Sequence, residues 1–572
     1  MIKILFFLLC FIVLIPAQKS FGVMHINGTD QGPKEYVRPV VKYTPEALRK
    51  MGYTTENVKG VISPATGNRN VAVILIEFQN PGTNSSGANT LTQEDITGFN
   101  TTLNYLKNFY NEASYGKLKL NITYFYNGGT TAALNGNETP YILNTPMSAY
   151  GADSESSLSD LIIDSLDMVT PANSLTSSSI GGTFDAVMVA HAGYGNESTN
   201  NSGDIWSAHV GPFTNSFGGS FTQNGFSDGI NIPARENNAS PIGVTCHEFG
   251  HVIGLPDIYS TSGNTESKVG KWCLMDYGPW VNNGFNPTHP SPWCKKFLGW
   301  LNPLTSSVNQ TTLDMYSVQA SSMHVYQIPI QVNQLEYFLI CYSSKSAYDQ
   351  HTPDNGIMIW HIDEGAIDGI SLTSRLQNNS LNNYSHNTVD IVSADSTRPN
   401  VSPYGSPGEL WPGTKRVFST PDSDSYYSTA SSKPITLSNF TFIGNKASYV
   451  YTNYAMSSLV NISNVINYPN PCGKGYYHPK NSNGTITTFI FNLTKVSDDI
   501  SFTIFNIAGE KVIDVPSNKM NFSLNPSKDY KIVYEYDWDG KNENLEDVAQ
   551  GLYLYRFKSG EIIKTGKMAV VR

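Results

Sequence analysis

Cys246-His247-Glu248-Phe249-Gly250-His251-Val252-Ile253-Gly254-Leu255-Pro256-Asp257 reads as His-Glu-x-x-His followed by x-x-Gly-x-x-Asp. At 3.6 residues per turn His247 and His251 fall on one face of a helix, so both imidazoles can reach one ion. Gly254 suits the positive φ at which a helix stops and turns back, and Pro256 forbids continuation. Such a turn can return Asp257 to the same ion as an oxygen ligand. Three protein ligands leave the fourth position of a tetrahedral zinc to water, which marks a catalytic site rather than a closed structural one. Glu248 is then placed to take a proton from that water as it attacks a carbonyl. A bare His-Glu-x-x-His also arises on ordinary helices; the glycine and aspartate at these offsets make the metal site the better reading. A third ligand from elsewhere in the chain is the alternative to Asp257.

The 572 residues exceed what one hydrophobic core organises, so several domains are expected. With 40% hydrophobic and only 15% charged residues the chain is globular and charge-poor, a composition that suits β-rich extracellular surfaces. A net charge of −10 without a long basic run argues against nucleic acid as a partner. Lys3 and the apolar run Ile4 to Ile15, followed by Ser20 and Gly22, read as a signal peptide over 1–22, too short to span a bilayer. No later run predicts an integral membrane anchor, so a secreted or cell-surface product is expected. Five cysteines remain beyond the leader, an odd number; a Cys273–Cys294 bridge would brace the loop below the metal helix, but sequence leaves the pairing open.

Residues 23–62 read either as a pro-segment, which would make the protein a zymogen, or as a simple N-terminal arm. The continuous apolar run NVAVILIEF, Asn70 to Phe78, predicts a strand covered on both faces and the start of a catalytic sheet. Phe99, Leu103, Leu106 and Tyr110 recur at helical spacing, as do Leu158, Ile162, Leu166 and Val169; Leu118–Phe125 and Phe184–Ala190 read as further strands. This alternation predicts an α/β (α+β) catalytic domain over 63–303 whose sheet supports the metal helix. His209 reads as a loop anchor rather than a ligand. Asn231 to Glu236, with its proline, reads as an edge strand and the candidate substrate cleft. Short apolar runs from 304 to 458 predict a β-sandwich domain. Within it Trp360-His361-Ile362-Asp363-Glu364 reads as structural, and 461–572 reads as a separate module.

Met275 followed by Tyr277 resembles the Met-turn of the metzincins, in which a methionine floors the metal site; Tyr277 is the candidate donor to the metal or an oxyanion. Together Phe109–Leu120, Gly203–Ser207, Ile242–Tyr259, Val269–Gly278 and Phe297–Pro303 resemble, in order, the immune-inhibitor-A-like secreted zinc metallopeptidases. That resemblance implies a zincin-like, metzincin-like fold, His247, His251 and Asp257 as zinc ligands, Glu248 as general base, and structural calcium at sites the sequence does not place. The layout of 461–572 is similar to the immunoglobulin-like β-sandwich domains that sort exported proteins through the type IX route, which would make the secretion machinery a partner. The expectation is therefore an exported zinc endopeptidase acting on protein or peptide substrates. Its rival is a surface-binding protein that keeps the zinc helix only for folding, and the two differ in chelator-sensitive proteolysis.

Overall fold

The computed structural model describes residues 65–572 except for short internal stretches, the longest being 214–221, 396–403, 420–434 and 454–461. The leader at 1–22 and the segment 23–62 lie outside the described residues.

The expected apolar run forms strand β1, Gly67–Phe78, with Val71 to Ile76 wholly buried. It lies between β2 (Leu118–Tyr126) and β5 (Ala186–Tyr194), both parallel to it, with Val71 opposite Ile122 on one side and Ala186 on the other. The short strands β3 (Gly129–Thr131) and β4 (Tyr141–Leu143) extend the sheet. On the far side follow β7 (Gly229–Arg235), parallel to β5, and β6 (Ala208–Val210), antiparallel to β7 and at the edge. Helix α1 (Gln93–Ala113) starts at a capping box in which Thr92 and Asp95 exchange hydrogen bonds. Helix α2 is Glu155–Met168, and α3, which carries the metal motif, is Pro241–Val252. α1 packs on α3 and on β2 and β7, while α2 packs against β1, β5 and β7, and between them the apolar middle of β1 and most of β5 are buried.

The edge strand differs from expectation. Asn231 to Glu236 falls in and just after β7, which is interior between β5 and β6. Its Pro233 lies beyond the three residues that β6 pairs, Gly229 to Asn231, so the missing N–H costs no hydrogen bond on that side. The true edge is β6, the strand that contains His209.

After helix α4 (Pro292–Phe297) come strands β8 (Leu304–Thr305), β9 (Thr311–Tyr316), β10 (Tyr326–Pro329), β11 (Glu336–Ser343), β12 (Gly356–Asp363), helix α5 (Leu372–Gln377), β13 (Val389–Ile391), β14 (Phe418–Ser419), β15 (Ile435–Ile443) and β16 (Lys446–Asn453). They form two sheets, β13-β12-β11-β10-β8 and β14-β15-β16-β9. β11 and β12 are buried along their whole length because they serve two cores. Phe338, Ile340, Ile357 and Ile359 face Leu437, Tyr449 and Tyr451 of the second sheet. The intervening Leu339, Cys341, Met358, Trp360 and Ile362 join the core of the α/β part. Hydrophobic packing is thus continuous across residues 303 and 304, where the sequence predicts a domain boundary. The expected structural role of the 360–364 stretch fits its pairings: His361 with Glu336 at 3.0 Å and Asp363 with His386 at 2.7 Å.

Among the described residues nine further strands between Ile462 and Val571 form two sheets around a core of their own, which includes Phe489, Phe491, Phe502, Trp538 and Phe557. The whole is a mixed α/β molecule with many sheets and few helices.

Candidate active site

Helix α3 begins where Ser240 accepts a hydrogen bond from Ile242 N–H and Pro241 takes the first helical position. It ends where Gly254 takes φ +100°, with Leu255 N–H donating to Gly250 at 2.9 Å. The carbonyl that this turn exposes is used at once: Leu255 O lies 2.8 Å from His251 Nδ1. Leu274 O lies 2.9 Å from His247 Nδ1. A carbonyl only accepts, so both Nδ1 atoms carry hydrogen and each Nε2 is left for another partner.

Those Nε2 atoms converge on Asp257 Oδ1, at 3.1 Å from His247 and 3.3 Å from His251. All three residues are fully buried, and none of the three converging atoms has a hydrogen-bond partner. Three buried acceptors facing one another repel unless a cation lies among them, so the donor set fits a metal ion. The charge balance agrees. Burial alone would lower the His251 pKa, but the Asp257 carboxylate outweighs it and raises the imidazole to about 9. For Asp257 burial pushes the carboxyl up, yet the two imidazoles hold it well below the usual range. Both shifts describe a pocket that attracts positive charge.

Glu248 is fully buried beside this cluster, and its Oε2 accepts the backbone N–H of His209 at 2.7 Å. Burial pushes its carboxyl up to about 7, while His247 and His251 pull it down. The edge strand β6 therefore positions this carboxylate through main chain, and the His209 ring is held by Asp228 at 2.9 Å. His209 is an anchor, and what it anchors is Glu248.

Met275 is buried directly under α3: a Cβ on Gly250 would lie 2.6 Å from its Sδ. Its carbonyl accepts Ile258 N–H at 2.7 Å, tying the turn to the loop that carries Asp257. Tyr277 packs against Val244 of α3 and Trp280. Its ring stacks on Tyr404 at 4.2 Å, and burial followed by Tyr404 raises the phenol to about 12. Cys273 and Cys294 are both buried free thiols with sulfurs 3.9 Å apart, adjacent but not bonded.

The sequence reading misses three supports. Tyr259 lies nearly parallel to the His247 ring at 6.4 Å, Tyr110 Oη donates to Cys246 O at 2.6 Å and so ties α1 to α3, and Asn379 contacts Asp257. The first two are visible as aromatics in apolar patterns; the third has no local signal.

Residues 65–301 match the family model described as immune inhibitor A peptidase M6, catalytic domain. Pre-pro-metalloprotease PrtV of Vibrio cholerae serotype O1 is 39% identical over 77 residues, 12% of this chain and 8% of that protein. Immune inhibitor A of Bacillus thuringiensis subsp. alesti is 35% identical over 129 residues, 20% of this chain and 18% of that protein. The matched stretches thus span less than a fifth of either relative. Among solved structures, PorZ, a surface component of the type-IX secretion system of Porphyromonas gingivalis, aligns over 44% of this chain and 23% of its own. At 11% identity and a TM-score of 0.15 that alignment carries no argument. The motif and its geometry agree with the family match: residues 65–301 resemble the catalytic domain of the immune inhibitor A metallopeptidases.

Proposed function

We propose that the protein is an exported zinc endopeptidase that cleaves peptide bonds of extracellular proteins, with His247, His251 and Asp257 holding the metal. The observation that carries this reading is the convergence of three buried, unpartnered acceptor atoms next to the buried carboxylate of Glu248. Zinc bound there would supply Lewis-acid polarisation of water and of the scissile carbonyl. Glu248 acts as general base and then returns the proton to the leaving amine, a task served by a carboxyl whose pKa lies near neutral and whose orientation the His209 N–H fixes. Met275 floors the ligand helix. Tyr277, a neutral phenol that can donate its O–H, is the proposed donor to the developing oxyanion. The Glu248→Gln protein is expected to retain zinc while casein hydrolysis falls by several orders of magnitude. Undiminished hydrolysis would reject the base, and zinc retention by wild type without chelator-sensitive proteolysis would favour the surface-binding alternative.

We assign the structural calcium implied by the family resemblance to the place where the carboxylates of Glu197 and Glu236 meet. Glu197 Oε1 and both carboxylate oxygens of Glu236 are buried without hydrogen-bond partners. A Cβ on Gly195 would fall 2.7 and 2.6 Å from the respective Oε1 atoms, so both carboxylates border one small cradle. Two buried carboxylates in such a place need a cation or a shared proton, and oxygen-only donors favour calcium. Calcium added to the zinc-loaded, calcium-free protein is expected to raise the melting temperature of wild type and leave that of Glu236→Gln unmoved; an equal response in both would remove the assignment.

Export rests on the leader reading of 1–22. Among the described residues no helix is long and apolar enough to cross a membrane. We assign 461–572, with its separate core, to sorting through the secretion machinery; unchanged export of a chain lacking it would reject that role.

A further inference from the structure

The third metal-site residue is held by a part of the chain that the family match does not reach. Downstream of α5, Asn379 grips Asp257 twice: Asn379 Oδ1 accepts Asp257 N–H at 2.8 Å, and Asn379 Nδ2 donates to Asp257 Oδ2 at 2.6 Å. Asp257 thereby has one oxygen engaged by an amide while the other, Oδ1, faces the imidazoles of His247 and His251. Asn379 is 1% exposed and its backbone sits at φ +44°, a left-handed conformation that asparagine tolerates better than most residues.

Its neighbours secure the same loop. Asn382 Nδ2 donates to Ile258 O at 2.7 Å. Asn383 Oδ1 accepts Thr261 N–H at 2.7 Å, and its Nδ2 donates to Thr261 Oγ1 at 2.8 Å. The strap is itself rooted: Leu376 and Leu381 belong to the continuous core, and Asn382 Oδ1 accepts Thr388 N–H at 2.8 Å.

We infer that Asn379 is the positioning residue of the metal centre, fixing Asp257 so that one carboxylate oxygen alone is presented to the ion, and that the β-rich part is therefore a component of the catalytic unit. A neutral amide suits the task. It occupies Oδ2 and locks the carboxylate rotamer without cancelling the negative charge that attracts a dication, as a lysine or arginine would. This inference rests on Asp257 being a ligand.

The test uses the full chain, with zinc affinity measured by chelator competition and the visible spectrum of the cobalt-substituted protein as a report on ligand geometry. Asn379→Asp exchanges the donor for an acceptor facing Asp257; Asn379→Ala removes both bonds and serves if the first variant does not fold. Each is expected to weaken zinc binding by about 10- to 100-fold, the usual cost of losing such a partner, and to alter the cobalt spectrum. Asn383→Ala, which loosens the strap without touching Asp257, is expected to lower the melting temperature and leave affinity and spectrum unchanged. Wild-type affinity and spectrum in both Asn379 variants overturns the inference, as does equal weakening by Asn383→Ala. Asp257→Ala separates the two readings: full zinc retention there rejects Asp257 as ligand, whereas zinc loss there with intact Asn379 variants rejects only the positioning role.

Discussion

Gly250 shows how tightly the site is packed at the scale of one residue. In a helix interior, glycine to alanine ordinarily stabilises by about 0.5–1 kcal/mol. Here the new methyl would meet Met275 Sδ at 2.6 Å and Tyr110 Oη at 3.3 Å, and both of those side chains are fully buried. Overpacking of this kind costs about 1–3 kcal/mol, so the steric term wins. Gly250→Ala is expected to lower the melting temperature by several degrees and to weaken zinc binding by displacing the Met275 turn, whose Leu274 carbonyl orients His247; thermal melts with metal analysis read both. His247, Glu248, His251, Gly254 and Asp257 are legible because their chemistry depends on spacing along one helix and its exit turn. Asn379 is not, because in the run Gln377-Asn378-Asn379-Ser380-Leu381-Asn382-Asn383 it looks like any turn residue, and its partner lies 122 positions away.

Among the elements, the central strands and helices α1 and α2 are readable from pattern, since β1 carries the apolar run Val71–Ile76, β5 the run Ala186–Ala190, and α1 and α2 repeat at helical spacing. The error over β7 has a specific cause. A proline marks a strand position lacking a hydrogen-bond partner on one side, and the whole strand need not be at the edge for that. β6 is only three residues long, so β7 outlasts it and Pro233 falls in the unpaired remainder. Three residues give too short a pattern to detect. β11 and β12 illustrate a different limit. Their uninterrupted apolar character announces two covered faces, but nothing in the sequence says that one face belongs to the second sheet and the other to the metal helix's own core.

For the whole molecule, that sharing decides which parts stand alone. A boundary drawn at 303 follows a change in local pattern, whereas a core is assembled from residues far apart, and this one crosses the boundary through Leu339, Met358, Trp360 and Ile362. The nine-strand module after Ile462 has a separate core. Scanning calorimetry is therefore expected to show two transitions, one for residues 65 to about 453 and one for 461–572. Deleting 461–572 should remove one transition and leave zinc content and hydrolysis intact; coupled loss of both would show that the module props the catalytic part. The asparagine strap carries a consequence of another kind, because a polypeptide is made from its N-terminus onward. Helix α3 and Asp257 emerge from the ribosome long before Asn379 does, so the contact that holds the Asp257 carboxylate forms only when about half of the β-rich part has been synthesised. A nascent or truncated chain would carry the complete His-Glu-x-x-His motif without a set third ligand, and the order of synthesis itself would delay proteolytic competence.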